Sequence, residues 1–264
     1  MRALVLDFDG VVIDSAREGL LVSLRTYLDL DPGSPLATEA PELEAVLLDP
    51  RTGLHAHPRL AAFMALMPLG NRAEDYGVAW AILEHGARVE GQADYDAFYA
   101  GTDPGWRQAF HARFYERRHA WVARRRDEWL ALHRPYDHVA EVLGRHLGEV
   151  AFGLATAKDR ASVWALLEAF GLAALFCADL VADKETGVSK IAHLHAIRDR
   201  LACRFEELTF VDDKLNHLEA VAALGVRGVL AAWGYNGERE RALARARGFA
   251  MASAEDLEAA LFSS

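Results

Sequence analysis

The chain has 264 residues, 52% of them hydrophobic and 26% charged, with a formal net charge of −10. This is the composition of an ordinary globular protein of one or two domains. The acidic balance argues against a nucleic-acid partner, and no stretch reaches the roughly 20 apolar residues that a membrane helix needs.

Two cysteines, Cys177 and Cys203, stand far from any Cys-x-x-Cys spacing, so a reduced, cytoplasmic setting is expected. The opening MRALVLDFDG is interrupted by Asp7 and does not read as a signal peptide.

The first predicted element is a strand, ALVLDF at 3–8, which runs into two acids, Asp7 and Asp9. Residues two apart in a strand face the same way, so both carboxylates can converge on one small site. They coexist there with a cation or a shared proton between them. Mg²⁺ suits such a site, because it takes a few hard oxygen ligands and keeps waters that a phosphate can replace. Gly10 then allows a sharp turn or close approach to a ligand. The same Asp-x-Asp is equally compatible with a turn and a helix cap.

From 16 to 134 no buried strand is evident. Pro/Gly breaks fall at 31–35 and 101–105, and Trp106, Phe110, Phe114, Trp121 and Trp129 recur at near-helical spacing. This reads as a mostly helical insertion. Eight arginines between 104 and 134 face three acids. One or two of them could clamp an acidic substrate group, but a solvated helix face is the expectation for any given one. HAHP at 55–58 has no third metal ligand at a sensible spacing and reads as a loop.

Strands alternate with helices after the insertion. VAFGLAT at 150–156 ends at Thr156, whose hydroxyl, with the backbone N–H groups that follow at Ala157, could cradle a phosphate. A plain β-branched strand residue is the alternative. Asp159 can cap a helix that Gly171 stops, and ADLVAD at 178–183 is a further apolar run. Ser189 can cap the next helix, with Ile191, Leu194, Ile197 and Leu201 expected on one face. Lys190 opens that helix, where the dipole disfavours a cation. A functional charge is therefore suspected, and the chain has only three other lysines, Lys158, Lys184 and Lys214. LTFVDD at 208–213 ends in Asp212 and Asp213, an N-cap pair or a second acidic pair for a metal. VRGVLAAW at 226–233 is a fifth strand-like run. The rhythm predicts an α/β fold: a Rossmann-like parallel sheet with helices on both faces, with Asp7, Thr156 and Asp213 at carboxyl ends of strands.

Together these elements resemble the four motifs of the haloacid dehalogenase superfamily, phosphoglycolate-phosphatase-like members in particular. DFDGVV resembles the first motif, LAT the second, Lys190 the third, and FVDD the fourth in an Asp-Asp variant. Lys190 lies 23 residues before Asp213, close to the family spacing; Lys184 is a worse-placed rival. The fourth motif departs from the common pattern. Asp212 takes a glycine position, and His217 stands where a later acid is usual.

The resemblance implies a core domain at 1–15 and 135–264 and a helical cap at 16–134, longer than common versions and expected to choose the substrate. It implies Asp7 as nucleophile and Asp9 as acid and base. Mg²⁺ would be held by Asp7, the backbone carbonyl of Asp9, and Asp213. Asp212 is the second choice of ligand, able instead to orient Lys190 or a water. Thr156, Ala157, Lys190 and Gly10 would meet the phosphoryl group of a small phosphate ester. The presence of Asp9 sets the chain apart from dehalogenase members. The absence of lysine from the insertion sets it apart from phosphonatases, which use a cap lysine. A phosphomutase using the same aspartates, or a catalytically silent binding protein, are the alternatives.

Overall fold

The computed structural model describes residues 1–70, 72–187 and 189–262; Val188 of the GVSK stretch and the last two residues of the expected core segment lie outside the described residues. The chain divides into two compact units, Met1–Asp14 with Arg134–Ser264, and Ser15–His133.

The first unit is built on strands β1 (Ala3–Leu6), β2 (Ile13–Asp14), β3 (Arg134–Pro135), β4 (Ala151–Ala155), β5 (Val181–Ala182), β6 (Leu208–Asp212), β7 (Arg227–Ala231) and β8 (Ala250–Ala252). Six of them form one parallel sheet in the order β5-β4-β1-β6-β7-β8. Strands covered on both faces read as continuous apolar runs, and β1 and β6 are buried throughout. Val5, Ala155, Phe210 and Leu230 pack there with Leu194, Ile197 and Leu218 from the covering helices. The chain runs outward from β1 through β4 to β5, then crosses to β6 on the other side. β1 therefore lies at the switch in strand order, where α/β sheets place their ligands.

Two features of the sheet were not evident in the sequence. β8 is a sixth strand of three residues, too short to register as an apolar run. ADLVAD holds a two-residue strand, because Ala178–Leu180 coils as a 3₁₀ turn. β2 and β3 pair antiparallel, Ile13 with Pro135 and Asp14 with Arg134, where the chain leaves the unit and re-enters it.

The caps fall as expected. Asp159 accepts from Ser162 N at 2.9 Å, and Ser189 accepts from Ala192 N at 3.2 Å. The helix Lys190–Leu201, however, buries Lys190, His193, Leu194 and Ile197, while Ile191 is 40% exposed. The inward stripe starts one residue earlier than the apolar pattern suggests, because the lysine itself takes the inward position.

The second unit contains helices and 3₁₀ turns and, among its described residues, no strand. Its longer helices are Ala16–Leu30, Leu36–Leu48, Ala73–His85 and Pro104–Arg124. Phe63, Trp80, Phe110 and Phe114 are fully buried within it. The arginines of Pro104–Arg124 are not simply a solvated face. Arg118 is buried in a bidentate pair with Glu18, at 2.6 and 2.7 Å, and Arg113 and Arg117 both reach Asp29. His57 of HAHP accepts from Arg59 N and starts a helix. No described helix is long and apolar enough to cross a membrane.

Candidate active site

Register brings the strand ends level. Leu6 pairs with Leu154 on one side and Val211 on the other, so the next residues, Asp7, Ala155 and Asp212, emerge at one edge. Asp7 N–H still donates to Val211 O at 2.9 Å, which continues the ladder and holds the carboxylate at the mouth of the sheet.

Lys190 converges on that edge from its helix. Its ammonium lies 2.7 Å from Asp7 Oδ1 and 3.3 Å from Asp212 Oδ2, and it donates to Ala155 O at 2.6 Å. All three groups are buried. The lysine thus crosses from a helix start, where its charge is disfavoured, to two carboxylates and a carbonyl that stabilise it. It is Lys190, not Lys184, that meets Asp7. Asp7 Oδ1 also accepts from Phe8 N at 2.7 Å. Asp7 Oδ2 accepts no hydrogen bond among the described residues.

Asp9 has a lysine of its own. Lys158 Nζ lies 2.8 Å from Asp9 Oδ1, with the Lys158 side chain almost wholly buried and that of Asp9 33% exposed. Lys158 N–H donates to Thr156 Oγ1 at 3.1 Å, so this lysine and the buried Thr156 share one turn beyond β4. The paired acids at the end of β1 are therefore separated electrically. Each is matched to a different ammonium, from a different element.

The second acidic pair also divides. Asp212 Oδ1 accepts from Lys214 N at 2.9 Å, and His217 Nδ1 lies 3.0–3.1 Å from both its oxygens. Burial opposes its charge, but His217 and Lys190 outweigh that and hold the carboxyl well below the usual range. Asp213 points elsewhere. Its Oδ2 accepts from Tyr235 N at 2.7 Å, while its buried Oδ1 has no hydrogen-bond partner among the described residues. Burial first, and the charge of Asp212 second, push its pKa up to about 8. Burial likewise raises Asp7 to about 6, against the pull of Lys190. Lys190 is itself raised, since Asp7 and Asp212 outweigh the burial that would lower it.

An orphaned buried carboxylate oxygen is costly unless something compensates it. A divalent cation would do so at Asp213, and the donor set is made of hard oxygens. Asp7, Asp212 and His217 also offer ligand atoms all within 4.8 Å of one another. Of the two acids in the second pair, Asp213 has the spare oxygen, whereas both oxygens of Asp212 are engaged.

Gly10 explains the tightness of the site. It sits at φ +84°, in the left-handed region, and a Cβ there would lie 2.5 Å from Asp213 Oδ2. Ala157 lies between Thr156 and Lys158 in the turn after β4.

The residues whose partners the sequence did not indicate are Lys158, His217 and Tyr235. Lys158 left a signal. The four lysines, in a chain that otherwise uses arginine, all fall within eight residues after the carboxyl end of β4, β5 or β6. Tyr235 stands in the AAWGYNG turn at 231–237, to which the sequence assigned no role, since its contacts span 221 and 22 residues of sequence.

A sequence model of the haloacid dehalogenase-like hydrolases matches residues 1–225. No curated protein matches the chain by sequence. Among solved structures, the fold is similar to a predicted phosphoglycolate phosphatase of Haemophilus somnus, at 17% identity, TM-score 0.61, covering 97% of this chain and 96% of that one. It is similar to a predicted phosphatase of Clostridium acetobutylicum, at 14% identity, TM-score 0.62, covering 98% and 96%. A haloacid dehalogenase-like family hydrolase of Streptococcus pneumoniae gives 12% identity, TM-score 0.60, covering 98% and 97%. Identities this low speak for the fold alone.

Proposed function

The chain belongs to the haloacid dehalogenase-like hydrolases, and from that premise we propose that it is a Mg²⁺-dependent phosphatase of a small phosphorylated metabolite, working through an aspartyl-phosphate on Asp7. The observation that carries this is the Lys190 ammonium 2.7 Å from Asp7, at an edge shared with Thr156, Asp9 and Asp213.

The Asp7 carboxylate attacks phosphorus, and the bond from phosphorus to the ester oxygen breaks. Its Oδ2, without a hydrogen bond among the described residues, is the available nucleophile, while Lys190 and Phe8 N–H hold Oδ1. Asp9 gives its proton to the departing oxygen. It then takes one from the water that attacks the aspartyl-phosphate, which returns Asp7 as a carboxylate and releases inorganic phosphate. Lys158 fixes the Asp9 side chain through both steps. Thr156 and Ala157 N–H, with Lys190, receive the phosphoryl oxygens, and Gly10, lacking a Cβ, lets its loop close on Asp213 beside them. Asp7, the Asp9 carbonyl and Asp213 would hold Mg²⁺, with Asp212 kept for Lys190. When bound, the ion supplies positive charge that offsets repulsion between nucleophile and phosphate. Positioning and charge neutralisation carry most of such a transfer.

The test is a screen of phosphorylated metabolites with Mg²⁺, 2-phosphoglycolate among them, with EDTA added to every hit and Asp7→Asn as control. Hydrolysis that EDTA and Asp7→Asn both abolish is expected. Transfer to a sugar rather than to water would identify a phosphomutase instead. No turnover of any ester would support a silent binding protein.

A further inference from the structure

The turn at 231–237, AAWGYNG, has no part in the chemistry described above, yet it touches both halves of the site. Gly234 N–H donates to Ala231 O and closes the turn after β7. Tyr235 then bridges two remote groups. Its backbone N–H donates to Asp213 Oδ2 at 2.7 Å, and its phenol donates to Asp14 Oδ1 at 2.9 Å. Trp233 Nε1–H donates to Val11 O at 3.1 Å. Asn236 Nδ2 donates to Asp213 O at 3.0 Å. Gly234 packs so closely that a Cβ would come within 2.3 Å of Asp213 Cβ and 2.5 Å of Gly10 O.

We propose that this turn is a positioning clamp, with Tyr235 its central residue, which holds the Asp213 carboxylate and the loop bearing Asp9 in register. The proposal rests on the phosphatase reading above. Asp9 sits in the 8–13 loop, which bonds to itself through Ile13 N–H to Phe8 O and Gly10 N–H to Ile13 O. That loop is fixed to the sheet at one end by Asp7. Its other end continues into β2, where the chain leaves the unit, and the clamp holds it there at Val11 and Asp14. Lys158 and the β2–β3 pairing also hold this loop, and the clamp adds the bonds that tie it to the turn gripping Asp213. An error of about 1 Å in such a group costs orders of magnitude in rate. Tyr235 is a positioning residue and touches no reacting atom.

Tyr235→Phe removes the phenol donor but keeps the backbone bond to Asp213 and the ring against Gly10. Loosening of the Asp9 loop should slow esters that need a proton on the leaving oxygen. We expect kcat on an alkyl phosphate to fall about tenfold or more, and on 4-nitrophenyl phosphate less than about threefold, with KM little changed. Asp14→Ala should give the same pattern, and the double variant should lose no more than either single one. Mg²⁺ affinity by calorimetry should be unchanged in Tyr235→Phe but weakened about tenfold or more in Gly234→Ala, whose Cβ displaces Asp213. Amide hydrogen exchange of residues 8–14 should quicken in Tyr235→Phe and stay unchanged in the neighbouring strands. Equal losses on both esters, additive losses in the double variant, or unchanged exchange at 8–14 would each overturn the clamp. A wild-type protein that cleaves neither ester would instead overturn the phosphatase reading, and the exchange and calorimetry would still decide the clamp.

Discussion

The Lys190 ammonium touches Asp7 Oδ1 at 2.7 Å while donating to Ala155 O at 2.6 Å, so one cation ties the end of β1 to the end of β4. Removing it leaves Asp7 and Asp212 buried side by side without that charge. Lys190→Met should lower kcat by about a hundredfold or more, the scale set by loss of a preorganised charge partner. Burial already raises Asp7 to about 6, and Lys190 is the main influence against it. The acid limb of the pH–rate profile should therefore move to higher pH in the variant. An unmoved limb would count against this pairing.

Asp213 and Asp7 should make the metal-free protein sensitive to alkali. In the unfolded chain both lose their protons near the ordinary value of 3.8, whereas in the folded chain they keep them to about 8 and about 6. Between those values the folded state binds more protons, so stability falls as pH rises from about 4 to about 8. Asp212 is shifted the other way and loses its contribution only in stronger acid. Thermal unfolding without metal should show this fall, and Asp213→Asn should flatten much of it. Mg²⁺ at about 100 times its Kd should restore roughly 2.7 kcal/mol to the wild type at pH 8 and little to Asp213→Asn. A flat wild-type curve would dispose of the idea.

Lys158 should act through Asp9. Lys158→Met removes the ammonium 2.8 Å from Asp9 Oδ1. Alkyl phosphates should then slow about tenfold more than aryl phosphates, as for a misplaced general acid. In an Asp9→Ala background the same change should add little. Additive losses, read from initial rates on both ester types, would make Lys158 an independent binding group.

In the helical unit, Glu18 and Arg118 form a buried bidentate pair, with the guanidinium also 4.7 Å from the Phe114 ring. Glu18→Ala leaves a buried cation without its buried counter-charge and should cost about 3–5 kcal/mol. Glu18→Leu with Arg118→Met should recover most of that. Urea unfolding of the full chain, followed by the tryptophans of this unit, checks both.

Much of the sheet unit was written locally. Continuous apolar runs dictate β1, β4, β6 and β7, because a parallel sheet buries both faces. Ser189 and Asp159 announce their helices by cap chemistry that acts over three residues. The acids, Thr156 and Lys190 are legible because strand ends are where such folds keep polar groups. What the tertiary structure decided is the pairing among them. Lys158 with Asp9, Lys190 with Asp7 and Asp212, His217 with Asp212, and Tyr235 with Asp213 and Asp14 are settled by strand order and register, and most join residues far apart in the sequence. So is the inward turn of Lys190 in place of Ile191, where attraction to two buried carboxylates outweighs the apolar preference of the stripe. Local pattern sets which residues reach the sheet edge; only the folded arrangement of charges sets which of them meet.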